Sequence, residues 1–281
     1  MGWRLKVRHE TGFTYAGPVR SSYNEARLTP LTGPGQTVLE ARVQIPPTAT
    51  SSTYRDYWGT QVTAFDLHEP HDMLSVVATS VVETGHAVPA ASADCEWATL
   101  TELDLRDRWV EMLGPTDRTR VDAGLVDLAR SVANNLSPDA AARSVCEWVR
   151  DTVDYVPGST SVLTSAQEAY DGGSGVCQDL AHLSLGMLRC LGLPARYVSG
   201  SLHPQADAEI GAMVVGQSHA WVEWWAGTWV GFDPTNGIPA GAQHVVVARG
   251  RDYTDVPPLK GLYHGGASTA LGVEVEVTRL A

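Results

Sequence analysis

A cysteine placed where a glycine-rich loop meets a helix is the clearest sign of chemistry in this sequence. Cys177 follows the run Gly172-Gly173-Ser174-Gly175-Val176 and precedes a segment with helical periodicity. The unpaired N–H groups in the first turn of a helix carry partial positive charge, which favours the nucleophilic thiolate form of a cysteine. The glycines also leave room for a substrate backbone. Taken alone, the pattern equally fits a small apolar residue buried at a helix start.

The other three cysteines fit structural roles better. Cys190 lies near the end of the same helical segment, Cys146 belongs to a helical apolar pattern, and Cys95 lies in an irregular segment. Their spacing matches neither a CxxC pair nor a zinc ribbon, so free thiols are expected in a reducing compartment. Cys177 is therefore the candidate nucleophile.

A thiolate nucleophile works best with a nearby base that is itself oriented by a third group. His219 opens a predicted strand, and Asp233 ends the next strand along the chain. A hairpin brings the start of one strand level with the end of the next, so the two residues can be cross-strand neighbours. Asp233 would then hold one imidazole nitrogen of His219 while the other nitrogen faces Cys177. On its own, Asp233 also fits a turn aspartate that precedes a proline.

Together these residues resemble the core of the bacterial transglutaminase-like (papain-like cysteine protease) superfamily. The matching blocks occur in order along the chain: Tyr155 to Thr160, Gly175 to His182, Gly192 to Gly200, Ser218 to Glu223 and Asp233 to Asn236. Residues 1 to about 85 also resemble the β-rich N-terminal region that accompanies this domain in many bacterial members. The resemblance implies that Cys177, His219 and Asp233 form a catalytic triad. It does not choose the reaction, because the superfamily includes transglutaminases, peptidases, amidases and inactive proteins.

The residue types predict acyl transfer at an amide bond through a thioester. Cys177 would attack the carbonyl, and His219 would protonate the departing amine. Water would then give hydrolysis, as in a peptidase or amidase acting on a peptide or protein amide, and this is the expected reaction. A transglutaminase that uses an amine acceptor is one alternative. A non-catalytic peptide-binding module is the alternative from another class, and a purely structural β-sandwich is a third.

Substrate-binding residues are less strongly indicated than the triad. Besides the backbone N–H of Cys177, an oxyanion needs a second donor, for which Gln178, Gln217 and Tyr170 are candidates. Trp221 lies two residues from His219 on the same strand face and is expected to line the substrate groove.

Metal chemistry is not expected from this sequence. Asp179 and His182 share a helix face near Cys177, but a zinc site needs a further converging ligand that the sequence does not offer. We therefore expect no metal and no cofactor. His203, His244 and His264 lie in predicted loops and are expected to face solvent.

The elements that position these residues form an α+β fold. Short β-rich runs separated by turn residues predict a β-sandwich-like domain over residues 1–90. Residues 85–94 fit either a linker or a loop laid over the surface. Residues 91–281 are predicted to form a papain-like catalytic domain, in which a catalytic helix packs on an antiparallel sheet. Its helices are expected over 118–135, from Ser137 to beyond Val149, and from about 174 to Gly192. Its strands are expected over 196–199, 219–225 and 229–232.

Composition sets outer limits on function. The chain has 281 residues, of which 43% are hydrophobic and 19% charged, as in ordinary globular proteins. A formal net charge of −12 disfavours nucleic acid as a partner. No apolar run approaches the ~20 residues that span a bilayer, and the N-terminus lacks a signal-peptide pattern. A cytoplasmic protein without membrane association is expected, and the oligomeric state is left open.

Overall fold

The computed structural model of the protein describes residues 2–46, 49–86, 95–216 and 218–281. In these ranges the chain forms a mixed α/β structure with three antiparallel sheets, a short parallel pair of strands and five α-helices. The helices are α1 (Leu103–Arg108), α2 (Ala123–Val132), α3 (Pro138–Thr152), α4 (Ala166–Gly172) and α5 (Cys177–Cys190). The strands are β1 (Trp3–Val19), β2 (Ser21–Ala26), β3 (Gln36–Gln44), β4 (Ser51–Arg55), β5 (Gln61–Leu67), β6 (His71–Thr84), β7 (Asp154–Tyr155), β8 (Ser174–Gly175), β9 (Ala195–Leu202), β10 (Met213–Gly216), β11 (His219–Trp225), β12 (Trp229–Asp233), β13 (Ile238–Pro239), β14 (His244–Gly250), β15 (Leu259–His264), β16 (Ser268–Ala270) and β17 (Glu274–Arg279).

The N-terminal region forms two antiparallel sheets joined by a shared apolar core. One sheet has the order β10-β17-β1-β6-β3, with β16 also paired to β1, and the other has the order β15-β2-β5-β4. Apolar side chains of β1, β5 and β6 meet between them, including Val19, Phe65 and Leu74. Buried and exposed residues alternate along β1 and β6, as expected for strands with one face in a core.

The end of the chain returns to the sheets in which it began. Strand β17 pairs with β1, placing Val277 opposite Val7, and β15 pairs with β2. The division of the chain into residues 1–90 and 91–281 stays a prediction, since its boundary lies among residues 87–94, outside those described. The N-terminal sheets nevertheless contain strands contributed by residues 213–216 and 259–279.

A five-stranded sheet with the order β13-β12-β11-β9-β14 supports the helices. Along β11, Ala220, Val222 and Trp224 contribute to the core cluster that includes the buried residues of α5. Trp221 and Glu223 alternate with them and therefore occupy the opposite face. The sheet thus separates two environments, a helix-packed core on one side and a face turned toward the N-terminal region on the other.

Helix α5 is buried on almost all sides. Its apolar residues Leu180, Leu183 and Leu188 are fully enclosed, but so are His182 and Ser184. Helices α2, α3 and α4 pack around it, and strands β9 and β11 cover the remaining side. The chain leaves the helix through Gly192, whose φ of 86° is the left-handed conformation that glycine adopts at low cost.

The side chain of Gln36 connects the N-terminal region to the five-stranded sheet. Its Nε2 donates to the carbonyl of Val246 at 2.8 Å, and its Oε1 accepts from the N–H of Val246 at 2.8 Å. It therefore acts as an extra ladder partner where the pairing of β14 with β9 changes register. No helix among the described residues has the length and apolar character needed to cross a membrane.

Candidate active site

Cys177 is presented by a tight sequence of turns. Helix α4 is capped by Gly173, whose φ of 65° reverses the chain, and the two-residue strand β8 then leads into α5. Strand β8 pairs in parallel with β7, which places Tyr155 beside Gly175. Cys177 is the first residue of α5 and is only partly buried. The prediction that a glycine-rich loop delivers it to the first turn of a helix is therefore confirmed.

A buried carboxylate holds this helix start in place. Asp179 Oδ2 accepts hydrogen bonds from the backbone N–H of Val176 at 2.8 Å and from Thr160 Oγ1 at 2.5 Å. Burial raises the pKa of Asp179, although both hydrogen bonds act in the opposite direction. A Cβ atom at Gly175 would lie 2.8 Å from the Asp179 Cβ, so only glycine fits at that position.

The positions of Asp179 and His182 do not support a metal site shared with Cys177. His182 is buried inside the helix layer, and its Nε2 accepts a hydrogen bond from the backbone N–H of Tyr253 at 3.2 Å. Burial lowers the pKa of His182 to about 3. Among the residues that the structure describes, no cluster of three or more His, Cys, Asp or Glu side chains could hold a metal ion.

His219 and Asp233 are brought together by the β11–β12 hairpin. The ladder pairs Val222 with Phe232, which places Asp233 diagonally across from His219 on the same face. The Nε2 atom of His219 lies 2.7 Å from Oδ2 of Asp233. The predicted pairing of these two side chains across the hairpin is confirmed.

The Asp233 carboxylate is fully buried and satisfied by several donors. Oδ1 accepts the backbone N–H groups of Thr235 at 2.9 Å and Asn236 at 3.2 Å, while Oδ2 also accepts Asn236 Nδ2 at 2.7 Å. Burial opposes ionisation, but hydrogen bonds from His219, His244 and Asn236 hold the pKa of Asp233 well below its usual range. Asp233 is therefore a fixed negative charge that points at the imidazole.

The imidazole of His219 is acted on from both sides. Burial lowers its pKa, but the hydrogen bonds and charges of Asp233 and Cys177 outweigh burial and raise the pKa to about 10. Since Nε2 is engaged by Asp233, Nδ1 is the nitrogen left for the cysteine sulfur. The structure thus brings all three predicted triad residues to one place.

A second histidine contacts the same carboxylate, and sequence reasoning missed it. The expectation that His244 faces solvent from a loop is wrong, because His244 begins β14 and is only 4% exposed. Its Nε2 lies 3.5 Å from Asp233 Oδ2, and its Nδ1 accepts the backbone N–H of Gly241 at 3.2 Å. The β-branched run that follows His244 is a strand signal that could have placed it at the start of a strand rather than in a loop.

For the other two histidines the expectation is half right, because His203 lies outside the strands but is buried, whereas His264 is exposed but lies in a strand. His203 is fully buried at the end of β9, where its ring meets that of Trp3 edge-on at 5.7 Å. The backbone N–H of His203, the residue after β9, donates to the carbonyl of Gln243 at 3.0 Å. His264, at the end of β15, is exposed.

The predicted substrate-binding residues occupy different environments. Gln178 follows Cys177 and donates from Nε2 to the carbonyl of Ser161 at 3.3 Å. The ring of Tyr170 packs against Trp148 at 6.0 Å within the helical core. Gln217 lies outside the described residues. The roles of Gln178, Tyr170 and Trp221 in substrate binding stay predictions.

Trp221 is completely buried and contacts both histidine rings. Its ring stacks on His219 with centroids 6.1 Å apart and meets His244 edge-on at 5.0 Å. It also forms part of the wall of a cavity of about 670 Å³ between the five-stranded sheet and the 31–36 segment. The described lining of this cavity includes His244 but not Cys177 or His219.

The floor of that cavity carries a buried ionic cluster. Glu223 accepts Arg196 Nε at 2.6 Å and forms a two-point contact with Arg249, whose Nε and Nη2 each lie 2.9 Å from a carboxylate oxygen. Burial opposes ionisation of Glu223, but the two guanidinium groups outweigh burial and lower its pKa to about 2. The Arg196 guanidinium also lies 3.8 Å from the centroid of Trp229.

Two family models match the chain in the regions just described. The model described as the bacterial transglutaminase-like N-terminal region matches residues 5–83, and that of the transglutaminase-like superfamily core matches residues 126–234. The second match contains Cys177, His219 and Asp233. The chain belongs to the bacterial transglutaminase-like superfamily.

Two similar chains match this protein over nearly its whole length. The uncharacterized protein ML0607 of Mycobacterium leprae is 47% identical over 99% of this chain and 100% of its own length. The uncharacterized protein Rv2569c of Mycobacterium tuberculosis is 33% identical over 98% of this chain and 92% of its own length. A crystal structure from Cytophaga hutchinsonii, described as that of a candidate cysteine protease, covers 100% of this chain with a TM-score of 0.80. At 21% identity, that structure supports the fold of this transglutaminase-like protein rather than its reaction.

Proposed function

We propose that this transglutaminase-like protein hydrolyses amide bonds through a thioester on Cys177, with His219 as base and acid and Asp233 as the group that orients His219. The observation that carries the proposal is the 2.7 Å contact between His219 Nε2 and Asp233 Oδ2, on an imidazole that also interacts with Cys177. A nucleophile, a base and an orienting carboxylate in this order are the elements of nucleophilic catalysis at a carbonyl.

The first half of the reaction breaks the amide bond. The Cys177 thiolate forms a bond to the carbonyl carbon, and the electron pair of the C=O bond moves to oxygen. The backbone N–H of Cys177, in the first turn of α5, is the proposed donor to that oxyanion, with Gln178 as a second candidate. As the C–N bond breaks, the His219 imidazolium donates its proton to the departing amine and leaves a thioester.

The second half restores the enzyme. His219, now neutral, accepts a proton from water while the water oxygen attacks the thioester carbon. The C–S bond then breaks, the carboxylic acid leaves, and the Cys177 thiolate is again paired with the His219 imidazolium. Asp233 stays ionised throughout, because its hydrogen bonds strongly favour the charged form.

The proposal includes several finer assignments. Helix α5 serves as the catalytic helix, and the N-terminal sheets form a β-sandwich-like domain. The substrate partner is a peptide or protein amide, and the protein works in the cytoplasm. A peptide substrate is supported by the side chain of Tyr155 near the nucleophile, since Tyr155 is half exposed and pairs with Gly175, two residues before Cys177.

Thiol reactivity tests the proposal before any substrate is known. We would treat the protein briefly with a low concentration of iodoacetamide at pH 6 and measure the mass of the intact protein. Wild type would be compared with Cys177→Ala and His219→Ala. The expected result is a single label that disappears in Cys177→Ala and slows in His219→Ala. The other cysteines are internal controls: burial raises the pKa of Cys146 to about 12 and also raises that of Cys190, while Cys95 is buried. Labelling that ignores Cys177 would overturn the proposal.

A second assay distinguishes hydrolysis from amine transfer. Peptides that contain glutamine and internal amide bonds would be incubated with the protein, with and without a lysine-type amine, and analysed by mass. Release of ammonia or a shorter peptide without amine addition supports hydrolysis. A product that carries the amine identifies a transglutaminase. A labelled Cys177 without either product favours a peptide-binding module that retained a reactive thiol.

A further inference from the structure

The second imidazole on the Asp233 carboxylate is the feature that the proposed reaction leaves unexplained. His244 comes from β14, which lies on the far side of β9 from the hairpin that carries His219 and Asp233. Its Nε2 lies 3.5 Å from Asp233 Oδ2, the same oxygen that His219 contacts at 2.7 Å. One carboxylate oxygen therefore lies between two histidine rings, whose centroids are 6.5 Å apart.

The backbone determines which nitrogen of His244 carries the proton. The N–H of Gly241 donates to Nδ1 at 3.2 Å, so Nδ1 must present its lone pair. In the neutral ring the proton is then on Nε2, the atom that faces Asp233. The ring is thereby aligned as a hydrogen-bond donor to the carboxylate without carrying a positive charge.

His244 also separates the carboxylate from the neighbouring cavity. Asp233 is 0% exposed, whereas His244 forms part of the wall of the 670 Å³ cavity. Trp221, which lines the same cavity, meets the His244 ring edge-on, and the Trp221 ring is itself held against Gly200, where an added Cβ would lie 2.7 Å from the indole. The ring of His244 is thus packed in place between the cavity and Asp233.

We propose that His244 is a positioning residue of the Cys177–His219–Asp233 site, which donates from Nε2 to Asp233 and shields that carboxylate from the cavity. This inference rests on the proposed function, because it assigns His244 to the same site. Through Asp233, His244 sets how strongly the carboxylate holds the His219 proton. It does not contact the substrate amide or the sulfur.

Charges around His244 agree with a neutral ring. Asp233 and His219 face it directly, and Arg196, Glu223 and Arg249 line the same cavity, as does His86. Burial lowers the pKa of His244, the Asp233 hydrogen bond opposes this, and the charge of His219 adds to the lowering. With His219 as the imidazolium, a second positive charge on the same carboxylate oxygen is disfavoured.

Nuclear magnetic resonance of the histidine rings tests this inference without any substrate. In a Cys177→Ser background we would measure the His219 pKa and the His244 tautomer, and then repeat the pKa measurement in His244→Gln, His244→Phe and His244→Ala.

His244→Phe removes the donor without admitting water, so the carboxylate becomes more basic. The His219 pKa should then rise by roughly one unit, the scale of one hydrogen bond to a charge. His244→Ala opens the carboxylate to the cavity, so screening should lower the His219 pKa. His244→Gln restores an N–H donor and should remain close to wild type.

A matched control separates positioning from packing. His203→Phe alters another fully buried histidine, whose ring meets Trp3, and should leave the His219 pKa unchanged. The inference is overturned if His244 is protonated on Nδ1 in the folded protein, or if the His219 pKa is the same in all three His244 variants. If His244→Phe fails to fold, the tautomer and the His244→Ala titration still decide. If iodoacetamide does not label Cys177, the proposed function is overturned, but the His244 tautomer and the His219 pKa still test the contact between His244 and Asp233.

Discussion

His219 Nε2 lies 2.7 Å from Asp233 Oδ2, although 14 residues separate the two along the chain. The hairpin supplies the proximity, and the turn after Asp233 supplies the orientation, since Thr235 and Asn236 donate their backbone N–H groups to the other carboxylate oxygen. The carboxylate is therefore held in one rotamer by local backbone and directed at the imidazole. A small set of elements, β11, β12 and the first turn of α5, builds the site.

Replacing Asp233 with asparagine should disable the site while preserving its shape. The neutral amide cannot stabilise the His219 imidazolium. If the amide N–H faces His219 Nε2, that nitrogen must accept, and the ring proton moves to Nδ1, the nitrogen that should accept the proton of Cys177. We expect the rate of Cys177 alkylation at pH 6 to fall sharply, and any amide hydrolysis to fall on the order of 10³–10⁴-fold. Alkylation kinetics and a peptide assay would measure the two effects.

The control for this change is Asn236→Ala, which removes one donor to the same carboxylate but keeps the charge. It should slow the reaction by about tenfold, the equivalent of ~1.4 kcal/mol. Equal losses in the two variants would show that the negative charge of Asp233 contributes nothing beyond its hydrogen bonds.

Much of the site could be predicted from the sequence because its signals are local. The glycine-rich run before Cys177, the alternation in 219–225 and the turn residues at Ala226-Gly227 each depend on neighbours in the chain. These patterns place His219 and Asp233 across a hairpin, and the structure brings them together. Their catalytic roles stay predictions.

Features that depend on distant partners could not be predicted. Nothing near residues 259–279 indicates that they pair with β1 and β2, because strand pairing at such separation is decided by tertiary packing. The burial of His244 likewise depends on the pairing of β14 with β9, and the burial of His182 depends on the helices that surround α5. A side chain's exposure is a property of the whole fold, and single histidines carry no local signal of it.

The ionic cluster in the cavity floor should be important for stability. Glu223→Gln keeps the shape of the side chain but leaves Arg196 and Arg249 without their shared counter-charge in a largely buried setting. We expect the free energy of unfolding to fall by about 3 kcal/mol, the lower end for a broken buried ion pair, since the Arg249 side chain is 26% exposed. Urea denaturation would measure it.

The exposed pair between Arg130 and Asp127 provides the comparison for Glu223. Asp127→Asn breaks a single contact at 3.1 Å between side chains that are 64% and 77% exposed. Its effect on the free energy of unfolding should be within about 0.5 kcal/mol. If Glu223→Gln is equally mild, water rather than Glu223 solvates the two guanidinium groups.

Gly200 should tolerate no side chain, because Trp221 occupies the space. A Cβ at this position would lie 2.0 Å from the carbonyl oxygen of Val245 and 2.7 Å from the Trp221 ring. Gly200→Ala should therefore lower the free energy of unfolding by about 3 kcal/mol and also slow Cys177 alkylation, since Trp221 stacks on His219. Gly172→Ala is the control: nothing lies within 4 Å of its Cβ position at the end of α4, so the change should be neutral or stabilising by up to ~1 kcal/mol.

Mild acid should destabilise the protein through His9 on the buried face of β1. Burial lowers the His9 pKa to about 4, and its Nε2 has no hydrogen-bond partner among the described residues. Between pH 6.5 and 4 the unfolded chain takes up a proton at His9 that the folded protein does not, so stability falls as the pH falls through this window.

From pH 7 to pH 5 the His9 contribution amounts to about 2 kcal/mol, taking 1.36 kcal/mol per pKa unit. His9→Leu, which suits the apolar face shared with Leu5 and Val7, should therefore lose about 2 kcal/mol less than wild type over the same pH change. Urea denaturation at the two pH values measures this difference, and His264→Leu, at an exposed position, should follow wild type. If wild type and His9→Leu lose the same free energy of unfolding between the two pH values, His9 takes up its proton as readily in the folded protein as in the unfolded chain. Other buried histidines would then account for any sensitivity to acid.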